Sequence, residues 1–229
     1  MQIQDAPTAY LMKAWAWVEA NRNQVIVGAG IIVAVALGFS YYSWQRGQKE
    51  TAAGEALTQL TLTTPPDTAA SQVAAGFFRI ASEYAGTHSA ARAQVAGAAA
   101  LFKANEFPEA QAAFQEYLDA HPDGTFAAMA TLGVAASLEA QNKLDLAAST
   151  YQQVINGFSD PAAGIIAKFG LARIDETQGK ANEAMNNYSD IARTVPNSPY
   201  AQEAEIRAEE LRTKIASAQP AAAKTKPGL

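Results

Sequence analysis

The chain has 229 residues, a net charge of −5 and no cysteine. That length gives one or two domains with room to bury a core, and the missing thiols exclude disulfides, thiolate zinc sites and cysteine nucleophiles. Beyond residue 50 there are 13 Lys and Arg against 19 Asp and Glu, so the larger part of the chain is acidic and lacks the basic face a nucleic-acid binder needs.

Alanine is abundant, Pro and Gly fall mostly between periodic segments, and no stretch alternates apolar and polar residues over the length of a strand. The expected fold class is all-α. Residues 1–24 form a short N-terminal tail. Within it Tyr10, Leu11, Ala14, Trp15 and Val18 fit one helical face, with Lys13 and Glu19 off it. Trp15 and Trp17 stand just before an apolar run, which suits a helix lying at a lipid interface; a short irregular tail is the alternative.

Residues 25–44 read as a single transmembrane helix. Val25 to Tyr42 is 18 residues without charge, or about 27 Å of helix, close to the hydrocarbon thickness of a bilayer. Tyr41, Tyr42 and Trp44 make an aromatic belt at its end, with Arg46 and Lys49 beyond. Signal-peptide cleavage needs small residues where the apolar run stops, and this run stops in bulky aromatics, so an uncleaved anchor in the lipid bilayer is expected. Gly30, Ala34 and Gly38 share one face at four-residue spacing, where a second transmembrane helix could approach closely; the general abundance of small residues in such helices explains them equally well. Lys13 and Arg22 before the span balance Arg46 and Lys49 after it. The N-terminal amine tips the balance toward an inside N-terminus and an external C-terminal domain.

Residues 45–89 make a linker helix and a degenerate first helical pair. Gly47 to Leu62 continues the anchor helix. Thr63 to Asp67, with Pro65 and Pro66, stops it. Thr68 to Tyr84 is the next helix, and Ala85 to Ser89 a turn. Residues 90–197 then hold three clear helical hairpins: Ala91 to Gly124, Ala128 to Asp160 and Ile165 to Asn197. Their period is 37 residues. Ala110, Phe114 and Pro122 return as Ala147, Tyr151 and Ser159, then as Ala184, Tyr188 and Pro196. Asn105, Asn142 and Gly179 sit between the helices, as residue types that tolerate a left-handed helix end. Self-similarity at this period means stacked hairpins. Residues 198–216 form a capping helix: Ser198 and Pro199 suit its start, and Glu203–Arg207 and Glu210–Lys214 are four-residue charge pairs on its outer side. Residues 217–229 are Ala, Pro and Lys with little to bury, and read as a disordered tail.

These units resemble tetratricopeptide repeats. The pattern of large and small residues in the first helix, then alanine, aromatic and proline in the second, falls on Val134, Ala135, Leu138, Ala147 and Tyr151, with Ser159 in the proline place. It falls also on Ala98, Leu101, Ala110, Phe114 and Pro122, and on Leu171, Ala172, Ala184, Tyr188 and Pro196. Gly97, Ser159 and Asp175 depart from it, and the period exceeds the usual 34 by three. The resemblance implies a right-handed solenoid whose alanines and aromatics serve packing. One N-terminal anchor before such repeats also resembles the YfgM-type proteins. That implies a single-pass protein of the bacterial inner membrane with a periplasmic repeat domain, and partners at the Sec translocon or among periplasmic chaperones.

Catalysis has no supporting residues. His88 and His121 fall in links without metal-ligand partners at helical spacing, and Glu109 with Glu116, or Glu209 with Glu210, read as solvated charges on exposed helix faces. No enzyme, cofactor or metal site is expected. Protein binding is. By position in the repeat, first helices line the concave surface, which would present Arg92, Val95 and Phe102, then Met129, Leu132 and Glu139, then Ile166, Phe169 and Arg173. Val95, Leu132 and Phe169 are one period apart and would make an apolar row for an apolar segment or helix, unless neighbouring helices or the final helix cover it. Two functions fit: a membrane-anchored scaffold, or a permanent structural subunit of a large membrane or envelope complex.

Overall fold

The computed structural model describes residues 6–65 and 68–218, and among these every regular element is a helix. The chain divides into two compact units, Met1–Ala52 and Ala53–Leu229.

In the first unit, α1 (Ala6–Ala20) is followed after one residue by α2 (Arg22–Thr63), whose last turns belong to the second unit. Helical hydrogen bonding continues across the join: Asn21 N donates to Trp17 O and Val25 N to Asn21 O, both at 3.0 Å. The expected interfacial helix and anchor are thus nearly continuous helix. Gly47 to Leu62 lies within α2, because no Pro and no positive-φ residue interrupts this helix before Thr63. α2 is long and apolar enough to cross a membrane. Its side chains from Ile26 to Phe39, and Trp15 and Trp17 of α1, are exposed. α2 ends at Thr63; Pro66 and Asp67 of the expected stop lie outside the described residues, as does the tail 219–229.

The second unit is an array of hairpins. α3 (Ala70–Glu83), α5 (Phe107–Ala120), α7 (Leu144–Gly157) and α9 (Ala181–Thr194) are each 14 residues long and start 37 residues apart. Between them run α4 (His88–Lys103), α6 (Ala127–Ala140) and α8 (Pro161–Thr177), and α10 (Pro199–Ala218) closes the order. We call α4, α6, α8 and α10 leading helices and the others trailing helices. The end of α2 serves as leading helix for α3: Leu57 packs with Ile80 and Ala93, joined by Leu60 and Phe77.

Local chemistry sets the boundaries. Asn105 (φ 62°), Asn142 (φ 59°) and Gly179 (φ 76°) adopt the left-handed conformation that ends a leading helix and turns the chain into its trailing partner. Thr87 caps α4 by accepting from Ala90 N at 3.0 Å, Asp160 caps α8 from Ala162 N at 2.9 Å, and Ser198 accepts from Ala201 N at 3.1 Å. Because Thr87 is the cap, His88 and Ser89 belong to α4 and not to the expected turn. His88 stacks on Phe126 at 5.0 Å, and His121 ends α5 against Tyr117 at 5.2 Å.

Packing repeats with the sequence. Ala98, Ala135 and Ala172 on leading helices, and Ala110, Ala147 and Ala184 on trailing helices, are all 0% exposed. These are the points of closest approach, where any larger side chain would hold two helices apart. Each aromatic reaches the next unit. The Phe114 ring lies on Gly133 and the Tyr151 ring on Gly170, so closely that a Cβ at either glycine would overlap the ring. Gly97, a departure from the repeat pattern, has the same use: Phe78 of α3 occupies its face.

α10 packs on α9 through Ala204, Ala208 and Leu211, and its Tyr200 meets Phe169 at 5.9 Å. Glu209 occupies the position of Ala98, Ala135 and Ala172, and it is exposed and paired with Arg212. A charged side chain there disfavours the packing of another trailing helix, which suits α10 to the role of a cap. Arg207 lies 3.8 Å from Glu203 and 3.9 Å from Glu210, in place of the expected Glu210–Lys214 pair.

Candidate protein-binding surface

Successive leading helices touch one another: α4 with α6, α6 with α8, and α8 with α10. Among the described residues the trailing helices α5, α7 and α9 do not. Helices on the inside of a curved stack crowd and those on the outside splay, so the leading helices form the inner face of this unit.

The residues expected on that face separate into three groups. Val95 is 3% exposed and Phe169 6%, and both are core residues. Val95 joins the cluster of Ala98, Ala110 and Phe114; Phe169 is enclosed edge-on by Tyr188 at 5.3 Å and by Tyr200 of the cap. Leu132 is half-buried against the same core. The expected apolar row is therefore closed by neighbouring helices, because the leading helices lie close enough to cover it. Phe102 is half-buried and stacks on Phe107 at 5.1 Å.

The second group is accessible. Met129 is 57% exposed and Ile166 37%, Arg92 is exposed, and Ile206 of α10 is 60% exposed. Arg92, Met129, Ile166 and Glu203 are one period apart, one helical turn before the row that closed. Around them the floor is small: Ala99, Gly133 and Ala136 are all half-buried.

The third group is a polar strap. Arg173 of α8 holds Glu139 of α6 through two parallel bonds, Nε to Oε1 at 3.0 Å and Nη2 to Oε2 at 2.8 Å. Tyr151 of α7 donates its hydroxyl to the same Oε2 at 2.8 Å, and the guanidinium lies 5.8 Å from the Phe169 ring centre. Burial, then the Glu139 charge, pushes the Tyr151 phenol well above its ordinary range. The unit beyond repeats the pair more loosely: Tyr188 donates to Glu176 at 3.4 Å, and burial first, then Glu176, pushes its phenol up to about 12. Tyrosine and glutamate twelve residues apart form a pair that the sequence carries twice. In the hairpin before these, both members change together, to Phe102 and Phe114. This spacing was a signal open to sequence reading, and it ties three helices.

Two clefts lie elsewhere. One of about 500 Å³ is bounded by Ile155, Phe158, Pro161, Ile165, Ile191 and Val195 at the ends of α7, α8 and α9. Near it Lys168, then Arg193, hold the Asp190 carboxyl below its ordinary range. The other, of about 540 Å³, runs between α3 and α5. In the first unit, Gly30, Ala34 and Gly38 are exposed, and a Cβ built at either glycine meets nothing within 4 Å.

The model of tetratricopeptide repeat-like domains matches residues 15–136 and again 117–225. No curated protein matches the chain. Among solved structures, the chain is similar to a kinesin light chain of Podosopora anserina with nearly identical TPR-like repeats. The TM-score is 0.53 and the identity 12%, over 76% of this chain and 89% of that one. A single-residue variant of the same protein superimposes equally well, with 88% of it covered. At that identity the likeness concerns the fold. Fold and family together imply a scaffold for protein–protein interaction: the chain belongs to the tetratricopeptide repeat-like domain family.

Proposed function

We propose that this protein is a membrane-anchored scaffold that recruits a protein partner to the inner face of its repeat array. The observation that carries the reading is the accessible row Met129–Ile166, set one period apart on the leading helices above a floor of alanine and glycine. Soluble surfaces rarely keep large apolar side chains in register at successive repeats without use. The row suits an apolar segment or one face of a helix, with Arg92 at one end and Glu203 at the other fixing its direction. The strap of Glu139, Arg173 and Tyr151 keeps α6 and α8 at the spacing the row needs. The uncharged stretch Val25 to Tyr42 in α2 supports an anchor in the lipid bilayer, and the family match begins upstream of it, at residue 15. Gly30, Ala34 and Gly38 then offer a face to a second transmembrane helix. The slight charge bias toward an inside N-terminus and the resemblance to YfgM-type proteins favour a single pass in a bacterial inner membrane, a periplasmic array, and partners at the translocon or among periplasmic chaperones.

The test is photocrosslinking in intact membranes from positions 129 and 166, beside Met129→Ser and Ile166→Ser variants. Substoichiometric labelling of exchanging partners, lost in both variants, is the expected outcome. Labelling of one constant neighbour at full stoichiometry would instead make the protein a permanent subunit. Protease access in right-side-out vesicles checks the topology, and protection of the array there would overturn the periplasmic side.

A further inference from the structure

The cleft between α3 and α5 lies on the opposite side of the array from Met129 and Ile166. Phe78, Ala81 and Ser82 of α3 line one side, Ala112 and Ala113 of α5 the other, and Gln94 of α4 also lines the cleft. Two of its lining residues are charged, Glu109 and Glu116, both on α5. They are seven residues apart, two helical turns, so their carboxylates stand on one face about 10.5 Å apart along the axis. Neither joins an ion pair among the described residues. The corresponding places in later units differ. They hold Leu146 and Gln153 on α7, and Glu183 and Asp190 on α9, where Asp190 is already engaged by Lys168 and Arg193. An open groove with phenylalanine and alanine on its walls and two unpaired carboxylates at a two-turn spacing occurs at α3–α5 alone among these three places.

We infer that this groove docks a basic amphipathic helix of a partner protein, with cationic side chains at i and i+7 on Glu116 and Glu109 and apolar side chains at i+3 and i+4 between them against Phe78, Ala112 and Ala113. The spacing fits because a helix laid along α5 has the same rise per turn as α5. Charge complementarity selects the partner and the apolar contact seats it. The site is separate from the proposed inner-face site, so either can fail alone.

The test uses the full chain in a neutral detergent and a fluorescent, amidated helical peptide with Lys at i and i+7 and Leu at i+3 and i+4. One control replaces Lys by Glu, and another replaces Leu by Ser. By fluorescence anisotropy at low salt, the Lys–Leu peptide binds and both controls bind at least tenfold more weakly. The pair Glu109→Gln and Glu116→Gln weakens the Lys–Leu peptide at least tenfold, whereas Met129→Ser leaves it unchanged. Reversal by Glu109→Lys and Glu116→Lys transfers binding to the Glu–Leu peptide, which a merely misfolded variant could not do. Equal binding of the Lys and Glu peptides, equal binding of the Leu and Ser peptides, or indifference to the Gln variants overturns the inference. So does a dimer of the chain that dissociates in the Gln variants, which would give the groove to a second copy.

Discussion

Substituting Gly170 by alanine and Gly164 by alanine puts the same methyl group into the same helix, and the structure demands opposite results. In α8, a Cβ at Gly170 overlaps the Tyr151 ring, whereas a Cβ at Gly164 meets nothing within 4 Å. Alanine in place of a helical glycine gains about 0.5–1 kcal/mol from backbone entropy at either site. At Gly170 the ring must also move. It is 2% exposed and its hydroxyl is bound to Glu139, so it cannot swing into solvent. Overpacking costs about 1–3 kcal/mol. A weakened hydrogen bond to a charged group adds part of its usual value of about 1.5–3 kcal/mol. The net loss is about 1–3 kcal/mol, or some 2–10 °C in the unfolding midpoint for an array of this size. Gly164→Ala should raise the midpoint by about 1–4 °C on the same scale. Thermal unfolding followed by circular dichroism, with the full chain in detergent, reads both. If Gly170→Ala unfolds no earlier than the parent, or if the two variants fall together, the ring-on-glycine contact is not what joins the units.

Exchange of the paired aromatics should be destabilising in both directions. Tyr151→Phe lowers the midpoint, because Glu139 loses one of its donors, with a loss of about 1–2 kcal/mol. Phe114→Tyr lowers it too, since Phe102 occupies the place of the glutamate acceptor; a neutral or stabilised Phe114→Tyr would refute the pairing. In the turns, Asn105→Gly should be tolerated and Asn105→Val should cost about 1–2 kcal/mol, because the residue holds φ at 62°. Alkaline titration followed at 295 nm should show Tyr188 ionising late. Its folded pKa is raised from the ordinary tyrosine value near 10 to about 12, so the stability it contributes is complete below pH 10 and is lost as pH climbs toward 12. Ionisation of every tyrosine near pH 10 before unfolding would contradict this.

The repeat frame was legible in the sequence because its markers are chemical necessities. Asn105, Asn142 and Gly179 show where the backbone turns left-handed, and Ala110, Ala147 and Ala184 show where helices meet. Single-chain periodicity says less about what lies across an interface. Gly133 and Gly170 each follow an aromatic by 19 residues, but that spacing joins a trailing helix to the next leading helix and is invisible within one unit. The same gap explains Val95 and Phe169. Their register is right for an inner face, yet burial depends on how near the adjacent leading helix and the cap come. The accessible row at Met129 and Ile166 lies only one turn away. Where the chain enters the array, α2 supplies a leading helix with no break to mark its start.

Glu209 bears on how such a protein can change length. A carboxylate at the place of the recurring alanine disfavours packing beyond α10, so an added 37-residue unit is poorly accommodated at the C-terminal edge. It could be inserted at an internal link, at Gly124 or Asp160, where both new junctions would reproduce an aromatic resting on a glycine. Growth and shrinkage in this lineage should therefore occur in the middle of the array. Engineered variants with four or five units should be made there, leaving both ends as they are.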